Sequence, residues 1–284
     1  MKVLVLGASG MLGNAVVREL SKSSKLKLFG TIRSESYKNF FSEKISQNLI
    51  SSVNVENLDS LLSIFNEIRP NIVVNCIGLV KQLDSSGYPL QAIPINSVLP
   101  HRLAVISSLV GARLIHISTD CVFSGSRGLY READIPDATD LYGRSKLLGE
   151  VDYSNAITLR TSIIGHELGS ERSLIGWFLS QQGSIRGYKR AIFSGLPTVE
   201  IAQIIRDYVI PRPHLHGLYH VSADPINKYD LLQLVAKQYE KKINIEPDDS
   251  LAIDRSLDST RFRVATGYQP PSWAELVKEM HEFK

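Results

Sequence analysis

The sequence predicts an α/β fold: a doubly wound parallel sheet followed by a smaller, mixed α/β C-terminal part. Three observations predict it. Through the first half, short apolar runs alternate with stretches of helical spacing. A glycine-rich turn directly follows the first of those runs. After residue 165 the alternation gives way to mostly helical stretches with short strands between them. Strands separated by helices imply right-handed βαβ crossovers, and hence a parallel sheet covered on both faces.

In chain order, "KVLVLG" is the first strand, closed by glycine, and "MLGNAVVRELSKS" behind it has helical spacing. "LKLFGTI" is the second strand, "NLISSVNV" the third, and "LDSLLSIFNEI" the next helix. "NIVVNCIG" is the fourth strand, and "LPHRLAVISSLVG" is a helix with glycine just past its end. "ARLIHIS" is the fifth strand and "AITLRTSIIG" the sixth. From residue 166 helices dominate, and short strands such as "GLYHVS" are expected in a smaller part packed over the strand ends. No Pro/Gly linker separates residues 1–165 from 166–284, so the two parts are free to interleave.

The 284 residues, 43% of them hydrophobic, suffice for a large core. The net charge of +3 is mildly basic, with no Lys/Arg block longer than a pair. Nucleic acid is therefore not an expected partner, whereas a phosphorylated small molecule would suit a few placed basic residues. The two cysteines, Cys76 and Cys121, make no metal-spaced or disulfide-rich pattern. "MKVLVLGASG" lacks the uninterrupted apolar run of a signal peptide, and no apolar run approaches the ~20 residues of a membrane span. A cytoplasmic, soluble protein with no membrane partner is expected.

"GASGMLG" places Gly7, Gly10 and Gly13 between the first strand and its helix, with Ser9, Met11 and Leu12 in the same turn. Gly7 suits the tight turn, Gly10 lets backbone approach a pyrophosphate, and Gly13 lets helix and strand pack closely. The helix N-terminus adds free N–H groups and a partial positive charge. Residues 1–165 thus read as a Rossmann-type dinucleotide-binding domain, and 166–284 as mainly a substrate-binding one. At the end of the second strand stands "TIRSES". Arg33 there can pair with a 2′-phosphate, which favours NADP(H), while nearby Glu35 keeps NAD open.

"YGRSK" sets Tyr142 and Lys146 one helical turn apart, on one side of a helix. An ammonium near a phenol lowers the tyrosine pKa toward neutrality. Thr119, at the end of the fifth strand in "HISTDCVFSG", could hydrogen-bond the same substrate oxygen. Tyr-xxx-Lys alone is common; its combination with a strand-end "STD" and an N-terminal "GxxGxxG" is much rarer.

With these motifs the chain resembles an extended short-chain dehydrogenase/reductase, and within that group the dTDP-4-dehydrorhamnose reductase family. "GASGMLG", "HISTDCVFSG", "YREADIP", "DLYGRSKLLGE", "LRTSIIG", "SGLPTVEIAQII", "GLYHVS" and "DRSLDSTRF" carry the resemblance, in collinear order over nearly the whole chain. It implies NADPH-dependent reduction of a nucleotide-activated 4-keto-6-deoxy sugar, for polysaccharide or O-antigen synthesis. Tyr142 would protonate the carbonyl oxygen, Lys146 would bind the nicotinamide ribose and tune Tyr142, and Thr119 would help hold the carbonyl. Asn75, Cys76 and Gly78 would pass the cofactor after the fourth strand. Asn54 and Val55, ending the third strand, would meet the adenine, and backbone at Ser162 and Ile163 the nicotinamide amide. Strand-end capping is an equal alternative for Asn54 and Asn75. A homodimer is compatible with this family.

Cys121 departs from the reductases' usual tyrosine and from the glutamate of 4,6-dehydratases, which speaks against dehydration. GDP-fucose synthase has a cysteine at this offset, so an epimerase or epimerase-reductase using Cys121 stays open beside a pocket-shaping role. That enzyme's partner histidine has only His166 as a loose counterpart. Asp120 would line the pocket. Lys81, just beyond the fourth strand, is a candidate for substrate, and Arg186, Arg190 and Arg255 for its diphosphate. Trp177 and Phe193 could flank a base or sugar, although core packing suits aromatic residues better. A third reading is a non-catalytic binding subunit, since the family includes a regulatory subunit of methionine adenosyltransferase. Intact Thr119, Tyr142 and Lys146 argue against it. Nothing in the sequence distinguishes uridine, thymidine and guanosine diphosphates.

Overall fold

The structure is a computed structural model that describes residues 1–79 and 87–284. Its centre is a seven-stranded sheet. Six strands come in sequence: β1 (Lys2–Leu6), β2 (Lys27–Ile32), β3 (Leu49–Ser51), β4 (Ile72–Asn75), β5 (Arg113–Thr119) and β6 (Ala156–Thr161). The seventh is Gly217–His220, and the spatial order is Gly217–His220, β6, β5, β4, β1, β2, β3. Every pairing in this sheet is parallel.

Helices α1 (Met11–Leu20), α2 (Glu43–Ser46), α3 (Leu58–Ile68), α4 (Pro89–Ala92), α5 (Leu99–Leu109) and α6 (Leu141–Leu148) lie between these strands. Then come α7 (Leu174–Ser180), α8 (Thr198–Ile204), α9 (Lys228–Gln238), α10 (Thr260–Thr266) and α11 (Trp273–Glu282). Alternation along β1 shows why its sequence is a continuous apolar run. Val3 and Val5 pack with Ala15, Val16 and Leu20 of α1 and Ile201 of α8. Leu4 and Leu6 face the other way, onto Leu61 and Phe65 of α3 and Leu103 of α5. Burying each such aliphatic side chain contributes about 1.5–3 kcal/mol.

Two expectations are corrected. "NLISSVNV" pairs only as far as Ser51, because Ser52 adopts a left-handed backbone (φ 62°) that ends the strand. Asn54 and Val55 therefore lie in the following turn, not at a strand end. "GLYHVS" is not a strand of the smaller part. It joins the main sheet beside β6, with Leu218 opposite Thr158 and His220 opposite Arg160. Residues from beyond 165 thus complete the sheet of the first part.

Short strands build the rest. Ala191–Phe193 is flanked by Ile226–Asn227 and Ile253–Asp254, and Ser184–Tyr188 pairs with Asn244–Asp248. A core of Phe178, Leu231, Val235 and Val277 joins α7, α9 and α11.

Candidate active site

The register of the sheet opens a crevice. Asn75, the last residue of β4, is level with His116, and β5 runs on through Ile117, Ser118 and Thr119. Crevices beyond the carboxyl ends of parallel strands are where α/β sheets bind ligands.

The glycine turn lies on the β1 side. Gly7 takes a left-handed φ of 83°, and its N–H donates to the Thr31 hydroxyl at 3.0 Å. A Cβ on Gly13 would lie 2.0 Å from the Gly7 carbonyl oxygen, so only glycine lets α1 seat on the turn. Gly10 is the N-cap of α1 and no side chain caps it, which leaves the first-turn N–H groups of Met11 to Gly13 for an outside acceptor. This cradle fits a dinucleotide pyrophosphate. Ser9 and Met11 are half-buried at its edge, while the Leu12 side chain belongs to the core and offers the crevice only backbone.

Arg33 stands exposed just past β2, with no ion pair among the described residues. Glu35 is engaged: Lys38 bonds it at 2.6 Å and holds its carboxyl below the usual range. Asn54 makes a local turn, its Oδ1 accepting from the Glu56 N–H, and Val55 packs against the α3–α5 core. Asn75 is fully buried, and its amide is spent on His116 Nδ1 (3.1 Å) and the Ile77 N–H (3.1 Å). The structure makes it a strand-end cap. Cys76 is half-buried beside it, its thiol pushed up to about 12 by burial. A Cβ on Gly78 would come within 3.7 Å of Lys146 Nζ, so the chain beyond β4 passes directly by that lysine.

Thr119, Tyr142 and Lys146 meet at the end of β5. Asp140 caps α6 by accepting from the Gly143 N–H at 2.8 Å. A Cβ on Gly143 would lie 2.3 Å from the Cys121 carbonyl oxygen, so this glycine lets α6 press against the chain after β5. The Thr119 hydroxyl lies within electrostatic reach of the Tyr142 phenol, donates to Asp120 Oδ1 (3.2 Å), and accepts from the Cys121 N–H (3.1 Å). Lys146 is buried and donates from Nζ to the Ile117 carbonyl at 2.8 Å.

The electrostatics correct one expectation. The Tyr142 phenol is pushed up, by burial first and then by Cys121, with the Thr119 hydroxyl opposing. A lysine-lowered tyrosine is not what this pocket holds; the phenol keeps its proton. Lys146 is lowered to about 8 by burial, with Glu150 opposing. Glu150 was missed in the sequence, although it lies one helical turn past Lys146. It takes the Arg160 guanidinium through two bonds (2.9 and 2.6 Å) and the Ser118 hydroxyl at 2.6 Å. Arg160 in turn donates to His220 Nε2 at 2.8 Å, and burial holds His220 down to about 3, neutral. A charged residue inside the apolar run "ITLRT" was the signal for this pair.

Asp120 is buried, and burial raises its carboxyl against the pull of Arg255. Ser162 lies within electrostatic reach of that carboxyl, and its carbonyl accepts from the Leu196 N–H, so β6 and its extension Ile163–Ile164 close the same corner. Arg255 donates from Nε to the Phe123 carbonyl at 2.8 Å and brings Nη1 to 3.8 Å from Cys121 Sγ. The Cys121 thiol is pushed up to about 12, by burial and then Asp120. Lys228, the first residue of α9, was also missed. It lies within electrostatic reach of Asp120, Arg255 and Cys121. No motif marks it; it follows the short strand Ile226–Asn227, which pairs with Ala191–Phe193.

Other candidates fall elsewhere. Arg186 is 74% exposed and ion-paired with Asp248 at 3.6 Å on the outer two-stranded sheet, so it does not join this cluster. Arg190 is exposed at the rim, its carbonyl accepting from the Ile253 N–H. His166 bonds the Tyr239 hydroxyl at 2.8 Å in a separate crevice with Asn14 and Phe283, so it is no partner for Cys121. Phe193 is buried against Trp273, and Trp177 is half-exposed on α7. Lys81 lies outside the described residues. Among the described residues no helix is long and apolar enough to cross a membrane, and no His, Cys, Asp and Glu cluster could hold a metal ion.

Comparison with known proteins shows what the chain is similar to. The family model described as RmlD substrate binding domain matches residues 1–283. A dTDP-4-dehydrorhamnose reductase of Aggregatibacter actinomycetemcomitans is 23% identical over 313 residues, covering 99% of each chain. Methionine adenosyltransferase 2 subunit beta of Bos taurus is 31% identical over 149 residues, 52% of this chain and 41% of that protein. Among solved structures, a dTDP-4-dehydrorhamnose reductase from Bacillus anthracis in complex with NADP superposes with a TM-score of 0.81. It is 23% identical, over 100% of this chain and 98% of that one.

Proposed function

The chain belongs to the RmlD substrate binding domain family. On that premise we propose that it is an NADPH-dependent reductase of a nucleotide-activated 4-keto-6-deoxy sugar, an oxidoreductase of the short-chain type. The observation that carries this reading is the meeting of Thr119, Tyr142 and Lys146 at the end of β5, across the crevice from an uncapped glycine turn.

NADPH, when bound, supplies hydride to the carbonyl carbon. The chain's own residues do the rest. The α1 N-terminus, with Gly7, Gly10 and Gly13, holds the pyrophosphate, and Arg33 the 2′-phosphate. Thr119 orients the substrate carbonyl by hydrogen bond. Tyr142, a phenol that keeps its proton, delivers that proton to the developing alkoxide. Lys146 holds the nicotinamide ribose from the side where Gly78 passes it. Asp120, Ser162 and Arg255 line the substrate side of the same corner.

Two further readings carry less. Epimerisation through Cys121 needs a thiolate or a nearby base, and a thiol pushed up to about 12 is almost wholly neutral at pH 7. A purely binding subunit needs no aligned threonine, tyrosine and lysine. A place in polysaccharide or O-antigen sugar synthesis, in the cytoplasm, follows from the substrate class. A hollow of about 570 Å³ lined by Leu58, Val98, Val105 and Leu148, with His101 and Arg102, is a candidate face for a homodimer.

The test is NADPH oxidation with UDP-, dTDP- and GDP-linked 4-keto-6-deoxy sugars. Turnover with one nucleotude series is expected. No oxidation with any of them, by protein that binds NADPH, would sink the reading.

A further inference from the structure

We propose that His116 is a positioning residue for the dinucleotide: through Asn75 it fixes the passage from Cys76 to Leu79 between the glycine turn and Lys146. This rests on the cofactor grip proposed above. His116 stands mid-strand in "RLIHIST", on the face of Leu114 and Ser118, and is fully buried. It is level with Asn75 on β4 and Thr158 on β6. Thr158 spends its hydroxyl on Val151, accepting from the N–H at 3.1 Å and donating to the carbonyl at 2.7 Å. The ring's one hydrogen bond among the described residues joins Nδ1 to Asn75 Nδ2 at 3.1 Å.

That bond has a fixed direction. The Ile77 N–H only donates, so the Asn75 atom that meets it at 3.1 Å is Oδ1. The other end of the amide is then Nδ2, a donor, and it faces His116. Nδ1 of the ring therefore accepts, and the ring proton sits on Nε2. Burial first, then Lys146 and His101, hold the imidazole well below its ordinary value, so it stays neutral. Turning the amide over would set its Nδ2 against the Ile77 N–H, donor against donor.

The passage beyond Asn75 is held by a side-chain amide at each end. Asn75 takes the Ile77 N–H. Asn96 accepts from the Leu79 N–H at 2.9 Å and donates to the Leu79 carbonyl and to Ser145 Oγ, both at 3.2 Å. Ser145 adjoins Lys146 in α6. The fit between is tight. A Cβ on Gly7 would lie 2.9 Å from Ile77 Cγ1, and one on Gly78 would come 3.7 Å from Lys146 Nζ. A displaced Ile77 is thus felt both at the glycine turn and at Lys146, the two groups assigned to the cofactor.

The experiment is fluorescence titration of the full chain with NADPH, beside thermal melting without cofactor. His116→Leu and His116→Asn are compared with the unaltered protein. Asparagine sets an acceptor near the place of Nδ1, and leucine has nearly the same shape without one. His116→Leu is expected to weaken NADPH by roughly fivefold or more, and His116→Asn by no more than about twofold. Packing alone ranks them the other way, because asparagine buries an extra N–H group. Unchanged NADPH affinity in His116→Leu would overturn the proposal. So would an equal or larger loss in His116→Asn, which would mark a merely structural role. Asn75→Ala removes the amide itself. It should weaken NADPH as His116→Leu does, and joining the two changes should add nothing; additive losses would also overturn the coupling. If the unaltered protein bound no NADPH, the cofactor reading itself would fail, and the two failures are told apart.

Discussion

Glu150 and Arg160 form a buried, two-bond ion pair that ties the end of the Tyr142–Lys146 helix to the central strands. Ser118 and Arg160 are cross-strand neighbours, one position before the Thr119–Thr161 pair, and His220 continues the row on the next strand. A helix anchored to such a row cannot shift its tyrosine without breaking charged hydrogen bonds.

Glu150→Ala would leave the Arg160 guanidinium, 2% exposed, without its carboxylate. Removing one partner of a buried pair costs about 3–5 kcal/mol. Urea unfolding followed by circular dichroism checks this. A loss below about 1 kcal/mol, the scale of an exposed pair, would show that the anchor is unimportant.

Arg33→Ala should weaken NADPH far more than NADH. Loss of one charge-assisted contact to phosphate is worth about 1.5–3 kcal/mol, tenfold or more. Dissociation constants for both cofactors, from fluorescence titration, decide it; equal effects on the two would sink the assignment.

Tyr142→Phe should keep NADPH binding nearly intact and lose most turnover, by about 100-fold or more for a lost general acid. Lys146→Ala should damage both. Single-turnover rates and cofactor titrations separate the two effects, and near-normal reduction by Tyr142→Phe would refute the proton donor.

Lys146 also sets a pH expectation. Its ammonium is lowered to about 8, so it loses its proton as pH rises through that value. If the ammonium holds the cofactor ribose, kcat/KM should fall above pH about 8 and be flat just below it. The stability term has the opposite sign: the unfolded chain binds the extra proton between about 8 and 10.5, so this group's contribution improves with pH there. Lys146→Arg, which does not titrate in this range, should remove the alkaline fall in whatever activity remains. A limb unmoved in that variant would assign the titration to another group.

Cys121→Ser should retain most reductase activity, since a thiol pushed up to about 12 is almost wholly neutral. Product formed in deuterium oxide should carry no enzyme-dependent carbon-bound deuterium, after subtraction of a no-enzyme control. Deuterium beside the former ketone, lost in Cys121→Ser, would make this an epimerase-reductase.

The fold was legible wherever one period dominates. "LDSLLSIFNEI" coincides with α3, and the apolar run of β1 reads as a strand because both its faces are buried. "GLYHVS" was misplaced because a strand's partner is a tertiary fact: the four residues Gly217–His220 look alike in a small sheet or a large one. The glycine turn and the Thr119, Tyr142 and Lys146 set were visible as motifs. The proton affinity of Tyr142 was not, because burial, absent from sequence spacing, outweighs the neighbouring groups. Lys228 was hidden for a similar reason. Nothing local distinguishes it from a surface lysine.

The completion of the sheet by Gly217–His220 has a consequence for dissecting the protein. A fragment ending at residue 165 would keep the whole glycine turn and all three central polar residues. It would also expose β6, whose six residues are all buried, as a bare edge. An unpaired, apolar edge of this kind recruits strands from other molecules. Arg160 would lose His220 in the same cut, and α1 would lose its packing against Ile201 and Ile205. The halves are therefore not separable modules: nucleotide grip and substrate grip must be inherited, expressed and engineered as one piece.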